Sequence, residues 1–221
     1  SKSFECVVID GGSDDGTLEL IKANQDIIDY WCSEADNGIA DALNKGVARS
    51  SGEYIVFLHA DDYFFDELST HRALCSLEKD TDLVAFDIIF ESQDGRRRGT
   101  SRGFNFYTNL KMPFYHPGVL CKRSLFDKLG GFDPSFRIAM DYDFLLRAFR
   151  INASYSIEPE VLTVFRNTGI SSREDWGSLK QRFGEEKKAH YKNCESRELF
   201  FVYKLWWLIY PLYRKLLYYF D

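Results

Sequence analysis

Short apolar, β-branched runs alternate with helical repeats through the first 150 residues. Phe4–Ile9 predicts a strand ending at Asp10, and a Gly-Gly-Ser-Asp-Asp-Gly loop leads into a helical repeat with Leu18, Ile21 and Ile28 on one face. Ile28–Cys32 predicts a second strand. Ile39, Leu43 and Val47 recur every four residues and mark a short helix, which the turn at Ser50–Gly52 ends. Glu53–Leu58 predicts a strand closing on His59-Ala60-Asp61-Asp62, followed by a helix over Asp66–Lys79 and a strand over Leu83–Phe90. Asp94-Gly95 predicts a hairpin turn, with the basic Arg96-Arg97-Arg98 at its tip. Gly130-Gly131 breaks the chain after a short helix, and Asp141–Arg150 is strongly helical. Ser154–Ile157 and Val161–Phe165 predict two short strands, and Asp175–Asn193 a polar helix. Leu199–Phe220 is dense in aromatics, with Lys204, Arg214 and Lys215 spaced through it.

This rhythm predicts an α/β fold, a Rossmann-like, mostly parallel sheet flanked by helices, with a C-terminal helical extension. In such sheets ligands bind beyond the carboxyl ends of the strands. Asp10, Asp61 and Asp62 all stand where a strand gives way to a loop.

Composition narrows the classes. The 221 residues are 45% hydrophobic and 28% charged, with a net charge of −6. That length suits one large domain, or one domain with an appendage, and needs no disulfide or zinc staple. The acidic balance argues against nucleic acid as a partner, because phosphate neutralisation needs clustered Lys and Arg. Five widely spaced cysteines without a Cys-x-x-Cys point to free thiols in a reducing cytosol, with Cys6 read as a small core residue. The four histidines make no paired zinc spacing. No signal peptide opens the chain, and its first residue is not methionine, so more chain is expected ahead of Ser1.

Three clusters carry chemistry. The loop Asp10-Gly11-Gly12-Ser13-Asp14-Asp15-Gly16-Thr17 lacks both the G-x-G-x-x-G and the G-K-[ST] phosphate patterns. Its strand-end carboxylate suits hydrogen bonds from a base N–H or ribose hydroxyls, and the plainer reading is a tight turn with solvated acids. Asp61 and Asp62 are adjacent and repel each other unless a cation or hydrogen bonds compensate, which suits Mg²⁺ or Mn²⁺; the plainer reading is a helix cap. Asp141 and Asp143 are two apart on a helix and so cannot serve one site. Asp143 pairs with Arg147 in a surface ion pair, whereas Asp141 shares its stripe with Leu145 and Ala148 and faces inward, as a general base or as an N-cap.

Four segments in order resemble glycosyltransferase family 2, of GT-A fold: Val8–Thr17, Asp36–Gly46, Gly52–Asp62, and Gly130-Gly131-Phe132-Asp133 through Asp141-Tyr142-Asp143. The match runs from about Phe4 to Ser172, which makes residues 1–172 a GT-A domain and 173–221 a helical extension with an aromatic-rich amphipathic tail. The resemblance implies inverting sugar transfer from a nucleotide-diphosphate donor, UDP- or GDP-sugar foremost. It implies Asp62 as ligand of Mg²⁺ or Mn²⁺, Asp61 on the donor's ribose or sugar, and Asp141 as the catalytic base. It further implies Asp10 and Gly11 in the nucleotide-contacting loop, Asp41, Asn44 and Lys45 beside the donor, and His116 near the diphosphate. Three positions depart from the family pattern. The family's opening strand, nucleotide-contacting loop and helix have no counterpart before Phe4, His59 stands where an acid is common, and Gly11 replaces a second acid. The Gln-x-x-Arg-Trp motif of processive synthases is absent, which favours single additions.

The stretch 199–221 is about as long as a membrane span, but Pro211 and three basic residues interrupt it. Trp, Tyr and Lys favour the bilayer interface, so one reading is peripheral contact with the inner face of the cell membrane. The other is a helix packed on the domain or on a second copy in a homodimer. Together these features predict a cytoplasmic, metal-dependent enzyme acting on a saccharide or lipid-linked acceptor in cell-envelope polysaccharide or glycolipid synthesis. The alternative is a nucleotide-sugar-binding domain without turnover; a two-carboxylate glycosidase is the more distant rival.

Overall fold

A computed structural model of the chain describes residues 4–77, 80–166 and 175–220. The expected boundary at 172/173 and the end of the Asp66–Lys79 helix lie outside the described residues.

The chain begins with β1 (Val7–Asp10), α1 (Thr17–Ala23), β2 (Tyr30–Ser33), α2 (Ile39–Arg49), β3 (Tyr54–Val56), β4 (Tyr63–Phe64) and α3 (Ser69–Ser76). There follow β5 (Leu83–Ser92), β6 (Gly95–Gly99), β7 (Val119–Lys122), α4 (Arg123–Leu129), α5 (Met140–Arg150), β8 (Tyr155–Arg166), α6 (Trp176–Lys192) and α7 (Arg197–Phe220). Strands β1 and β2 form a parallel pair, with Asp10 opposite Ser33. The other six make a second sheet in the order β3-β7-β5-β8-β4, with β6 added to β5.

The α/β class is as expected, while pairing in the larger sheet is mixed. Only β5–β8 is parallel there; β3–β7, β5–β7, β5–β6 and β4–β8 are antiparallel. The cause is the connections. A parallel neighbour needs a crossover, which α1 supplies between β1 and β2, whereas a tight turn after Ser92 returns β6 antiparallel.

The hairpin places Arg96–Arg98 on β6 rather than at a tip. The two expected strands after α5 form one strand, β8. A register shift opposite Phe86–Ile88 absorbs the Pro159 region, which the sequence pattern reads as a break. Helix α7 runs through Pro211, whose missing N–H breaks no chain direction here.

Alternation along β5 builds the core. Leu83 and Ala85 face a layer containing Phe126, Phe144 and Leu146 from α4 and α5, while Val84 and Phe86 face Ala73 of α3 and Leu162. Leu43 and Val47 of α2 close the first layer, as their four-residue spacing predicts. Cys121 is the buried cysteine, whereas Cys6 is half-buried, and no disulfide joins any of the five among the described residues. Helix α6 lies against α5, and α7 against α6, through Leu179, Phe183 and Tyr210.

Candidate active site

The turn between β3 and β4 carries Asp62, whose N–H donates to the His59 carbonyl at 3.0 Å. Its Oδ1 accepts from the Arg166 N–H at 3.1 Å, and its Oδ2 is buried with no hydrogen-bond partner. Burial pushes the Asp62 carboxyl up. Asp61 beside it is exposed.

His116 opens a short 3-10 turn that leads into β7. Its ring stacks on Phe57 at 5.1 Å and lies 5.6 Å from the His59 ring. Burial lowers its pKa to about 3, so the ring is neutral, and its Nε2 has no partner. Gly118 lets this turn approach β5, since a Cβ there would stand 2.9 Å from the Phe86 carbonyl oxygen.

Asp141 is the second residue of α5, and its Oδ1 accepts from the Tyr142 N–H at 2.7 Å. Burial raises its pKa to about 6, against hydrogen bonds from backbone N–H groups and with help from the charges of Glu186 and Glu185. Asp61, Asp62, His116 and Asp141 all line one cavity of about 680 Å³. Residues from three separated stretches of chain thus meet around a space of ligand size.

Asp10, Gly11, Asp41, Asn44 and Lys45 do not line that cavity. Asp10 is occupied by its own loop. It accepts from Ser13 Oγ at 2.5 Å, Ser33 Oγ at 2.6 Å and the Gly12 and Ser13 N–H groups, bonds that hold its pKa low. At Gly11 a Cβ would stand 2.7 Å from Asp36 Oδ2. Asp41 accepts from the Asn37 N–H, and Lys45 bridges Glu34 at 2.8 Å and Asp41 at 3.4 Å. Asn44 grips the Phe132 backbone from both sides, donating to its carbonyl and accepting from its N–H, each at 2.8 Å.

Asp143 is fully buried rather than in a surface pair. It receives Arg147 at 2.9 Å, Lys192 at 3.0 Å and Asn193 Nδ2 at 3.0 Å, because α6 covers this side of α5.

The cavity wall also holds cations that the sequence pattern does not single out. Lys111 pairs with Glu186 at 3.1 Å and Arg166 with Glu91 at 3.2 Å. Arg97 and Arg137 line the cavity with no ion pair among the described residues. Strand alternation was the available signal for Arg97: Arg96 and Arg98 reach Glu91 and Asp87, leaving Arg97 on the other face over Phe90.

Among the described residues no three His, Cys, Asp or Glu side chains are grouped to hold an ion. The orphaned Asp62 oxygen beside Asp61 is still the donor set a hard divalent cation accepts when substrate phosphates and water complete its shell. The residues fit such a cation on that basis.

The fold is that of the GT-A glycosyltransferases. The structure of Staphylococcus aureus TarS 1–349 in complex with UDP-GlcNAc aligns with a TM-score of 0.65 at 16% identity, over 86% of this chain and 57% of that one. The mannosyltransferase PcManGT from Pyrobaculum calidifontis, in complex with GDP-Man and Mn²⁺, aligns at 0.61 and 20% identity, over 89% and 57%. The chain belongs to glycosyl transferase family 2, whose model matches residues 1–142. A PGL/p-HBAD biosynthesis glycosyltransferase of Mycobacterium bovis is 30% identical over 184 residues, 80% of this chain and 67% of its own length. An uncharacterized glycosyltransferase of Mycobacterium tuberculosis is 32% identical over 176 residues, 78% of this chain and 67% of its own. The chain thus spans about two thirds of these relatives and a little over half of the two solved chains.

Proposed function

We propose that this chain carries the catalytic centre of an inverting glycosyltransferase that moves a sugar from a nucleotide-diphosphate donor to an acceptor hydroxyl in cell-surface polysaccharide or glycolipid synthesis. The observation that carries the reading is the meeting of Asp61, Asp62, His116 and Asp141 in one cavity. Asp141 takes the proton from the acceptor hydroxyl, whose oxygen bonds to the anomeric carbon as the bond from that carbon to the diphosphate breaks with its electrons on phosphate. With a pKa of about 6, Asp141 is mostly ionised at neutral pH yet basic enough to accept that proton. Asp62 would hold Mg²⁺ or Mn²⁺, with Asp61 on the donor. The cation would supply positive charge to offset that developing on the departing nucleoside diphosphate. Neutral His116 and the guanidinium groups of Arg97 and Arg137, which make no ion pair among the described residues, supply further donors to an anionic ligand. Asp10, Gly11, Asp41, Asn44 and Lys45 act in this reading by shaping the loops around the donor.

The acceptor is a saccharide or a lipid-linked acceptor, and α7 brings the cytoplasmic protein to the inner face of the membrane. Phe201, Leu205, Leu208, Leu212, Leu216 and Tyr219 form a stripe on α7, each between 58% and 67% exposed. Lys204 and Lys215 are eleven residues apart, which puts them within about 20° of each other beside that stripe. No acidic residue lies between 199 and 220. An apolar stripe bordered by cations matches an anionic lipid surface. No described helix is long and apolar enough to cross a membrane.

A thermal-shift series with UDP, GDP, CDP and dTDP, each with Mn²⁺ or Mg²⁺, tests the donor site. One nucleotide at 100-fold over its Kd should stabilise the protein by about 2.7 kcal/mol. No shift with any of them would remove the proposal.

A further inference from the structure

Glu185 lies in α6, beyond the residues matched by the family model, yet it touches the segment that ends in the candidate base. A single oxygen, Oε2, accepts from three successive backbone N–H groups: Arg137 at 3.0 Å, Ile138 at 2.8 Å and Ala139 at 3.0 Å. Ala139 is the N-cap of α5, and its side chain offers no hydrogen bond, so the carboxylate serves donors that a Ser or Asp cap usually satisfies locally. Neighbours on the same face of α6 extend the grip. Lys188 donates to the Ser135 carbonyl at 2.9 Å, and Lys192 meets Asp133 at 2.7 Å and the buried Asp143 at 3.0 Å. Positions 185, 188 and 192 share one helix face, and together they hold the chain from Asp133 to Asp143.

We infer that Glu185 is the positioning residue for the catalytic base: its carboxylate clamps the 137–139 backbone and thereby fixes where Asp141 presents its oxygen to the cavity. This rests on the glycosyltransferase reading above. A charge-assisted bond to three donors holds a segment more firmly than a neutral cap. A shift of about 1 Å in a base costs on the order of 100-fold in rate. The clamp also fixes the backbone of Arg137, whose guanidinium lines the same cavity.

Charge gives the clamp a second signature. Lining the cavity with Asp141 are His59, Asp61 and Asp62 from the β3–β4 turn, Arg97 from β6, Lys111 and His116 from the segment before β7, Arg137 from the loop before α5, and Arg166 from β8. From α6, Arg182 and Glu186 line it too, and the charges of Glu185 and Glu186 act on Asp141. Glu186 is compensated by Lys111 at 3.1 Å and Arg182 at 3.9 Å. Glu185 has no Lys or Arg partner among the described residues, so its charge acts on Asp141 without a paired cation. A negative neighbour makes a carboxylate harder to ionise.

The test compares Glu185→Gln with Glu185→Ala. Gln keeps an acceptor oxygen and loses the charge; Ala loses both. Three quantities are measured: turnover across pH, the Kd of the nucleoside diphosphate, and amide hydrogen exchange at 137–139. Glu185→Gln should move the acidic limb of kcat to lower pH and keep most of the plateau rate. Glu185→Ala should lower plateau kcat about 10- to 100-fold, weaken nucleotide binding by a smaller factor because Arg137 is released with the loop, and speed exchange at 137–139. An unmoved limb in Gln together with unchanged turnover and exchange in Ala would overturn the inference. If wild-type protein shows no acidic limb, or Asp141→Asn still turns over, the role of Asp141 as base fails instead, and exchange at 137–139 still decides whether Glu185 clamps the loop.

Discussion

The His190 ring on α6 places Nε2 2.8 Å from the hydroxyl of Tyr142, the residue that follows the candidate base. Its tautomer is settled by its neighbours. Trp207 Nε1–H donates to Nδ1 at 2.9 Å, so Nε2 carries the proton and donates to Tyr142, whose own proton goes to the Thr108 carbonyl at 3.0 Å. Tyr203 stacks on the same ring at 4.5 Å. This chain of donors, each satisfied once, ties α7 to the start of α5.

That relay predicts an acid-labile protein. Burial holds the pKa of both His190 and His116 at about 3, well below the value near 6.5 of an unfolded chain. Between pH 6.5 and 3 the unfolded state therefore binds protons that the native state does not, and stability falls as pH drops, by at most about 1.4 kcal/mol per pH unit for each histidine. Chemical denaturation at several pH values should show that slope. His190→Gln should cost about 1–3 kcal/mol at pH 7, and flatten the slope below pH 6. An unchanged slope would place the lability elsewhere.

Asp141 works in the opposite sense. Its folded pKa of about 6 lies above the unfolded value of 3.8, so the native state holds a proton longer, and stability is lost as pH rises from about 4 to 6. Above pH 6 the cost of the buried charge is constant. Asp141→Asn removes that charge and should stabilise the protein at pH 7 by on the order of 2 kcal/mol, raising Tm. A lower Tm for the variant would show that the carboxylate is not strained by burial.

Gly131 and Asn44 make a junction that tolerates little change. Gly131 has φ +74°, and a Cβ there would stand 2.7 Å from Asn44 Oδ1, the atom that receives the Phe132 N–H. Gly131→Ala should destabilise by about 1–3 kcal/mol through backbone strain and loss of that bond. Asn44→Ala should lose a similar amount by leaving the Phe132 groups unpaired. Denaturant melts of the two single variants and the double variant check this, since a shared cause makes the losses less than additive.

The outer face of α7 gives a prediction about location. Co-sedimentation with vesicles containing anionic lipid should pellet the wild-type chain, and 1 M salt should weaken the effect. Leu208→Asp with Leu212→Asp should abolish pelleting without altering nucleotide binding. Equal pelleting of both proteins would remove the membrane role of this stripe.

Much of this was legible in the sequence because strand-end carboxylates and their motifs are local. Val7–Asp10, Ile39–Arg49 and Met140–Arg150 form where apolar spacing predicts them, and Asp62 and Asp141 reach one cavity. What the sequence hid depends on distance or on masking. Glu185 meets 137–139 across 46 to 48 positions, and a glutamate on a polar helix carries no mark of that contact. Arg97 was hidden among three arginines until pairing with Phe90 set which one faces inward. Asp143 and Arg147 at helical spacing look like a solvated pair until α6 covers them. The mixed pairing of the larger sheet was equally hidden, since strand periodicity gives faces but not neighbours.

The claim that the cavity carboxylate Asp141 is the base is tested most directly by the initial rate of nucleoside diphosphate release from donor and acceptor, measured for wild type and Asp141→Asn at pH 7.5 with donor Kd measured alongside. The account predicts a rate lower by about 100-fold or more with donor affinity within about twofold. A variant that retains its rate within about threefold would contradict it.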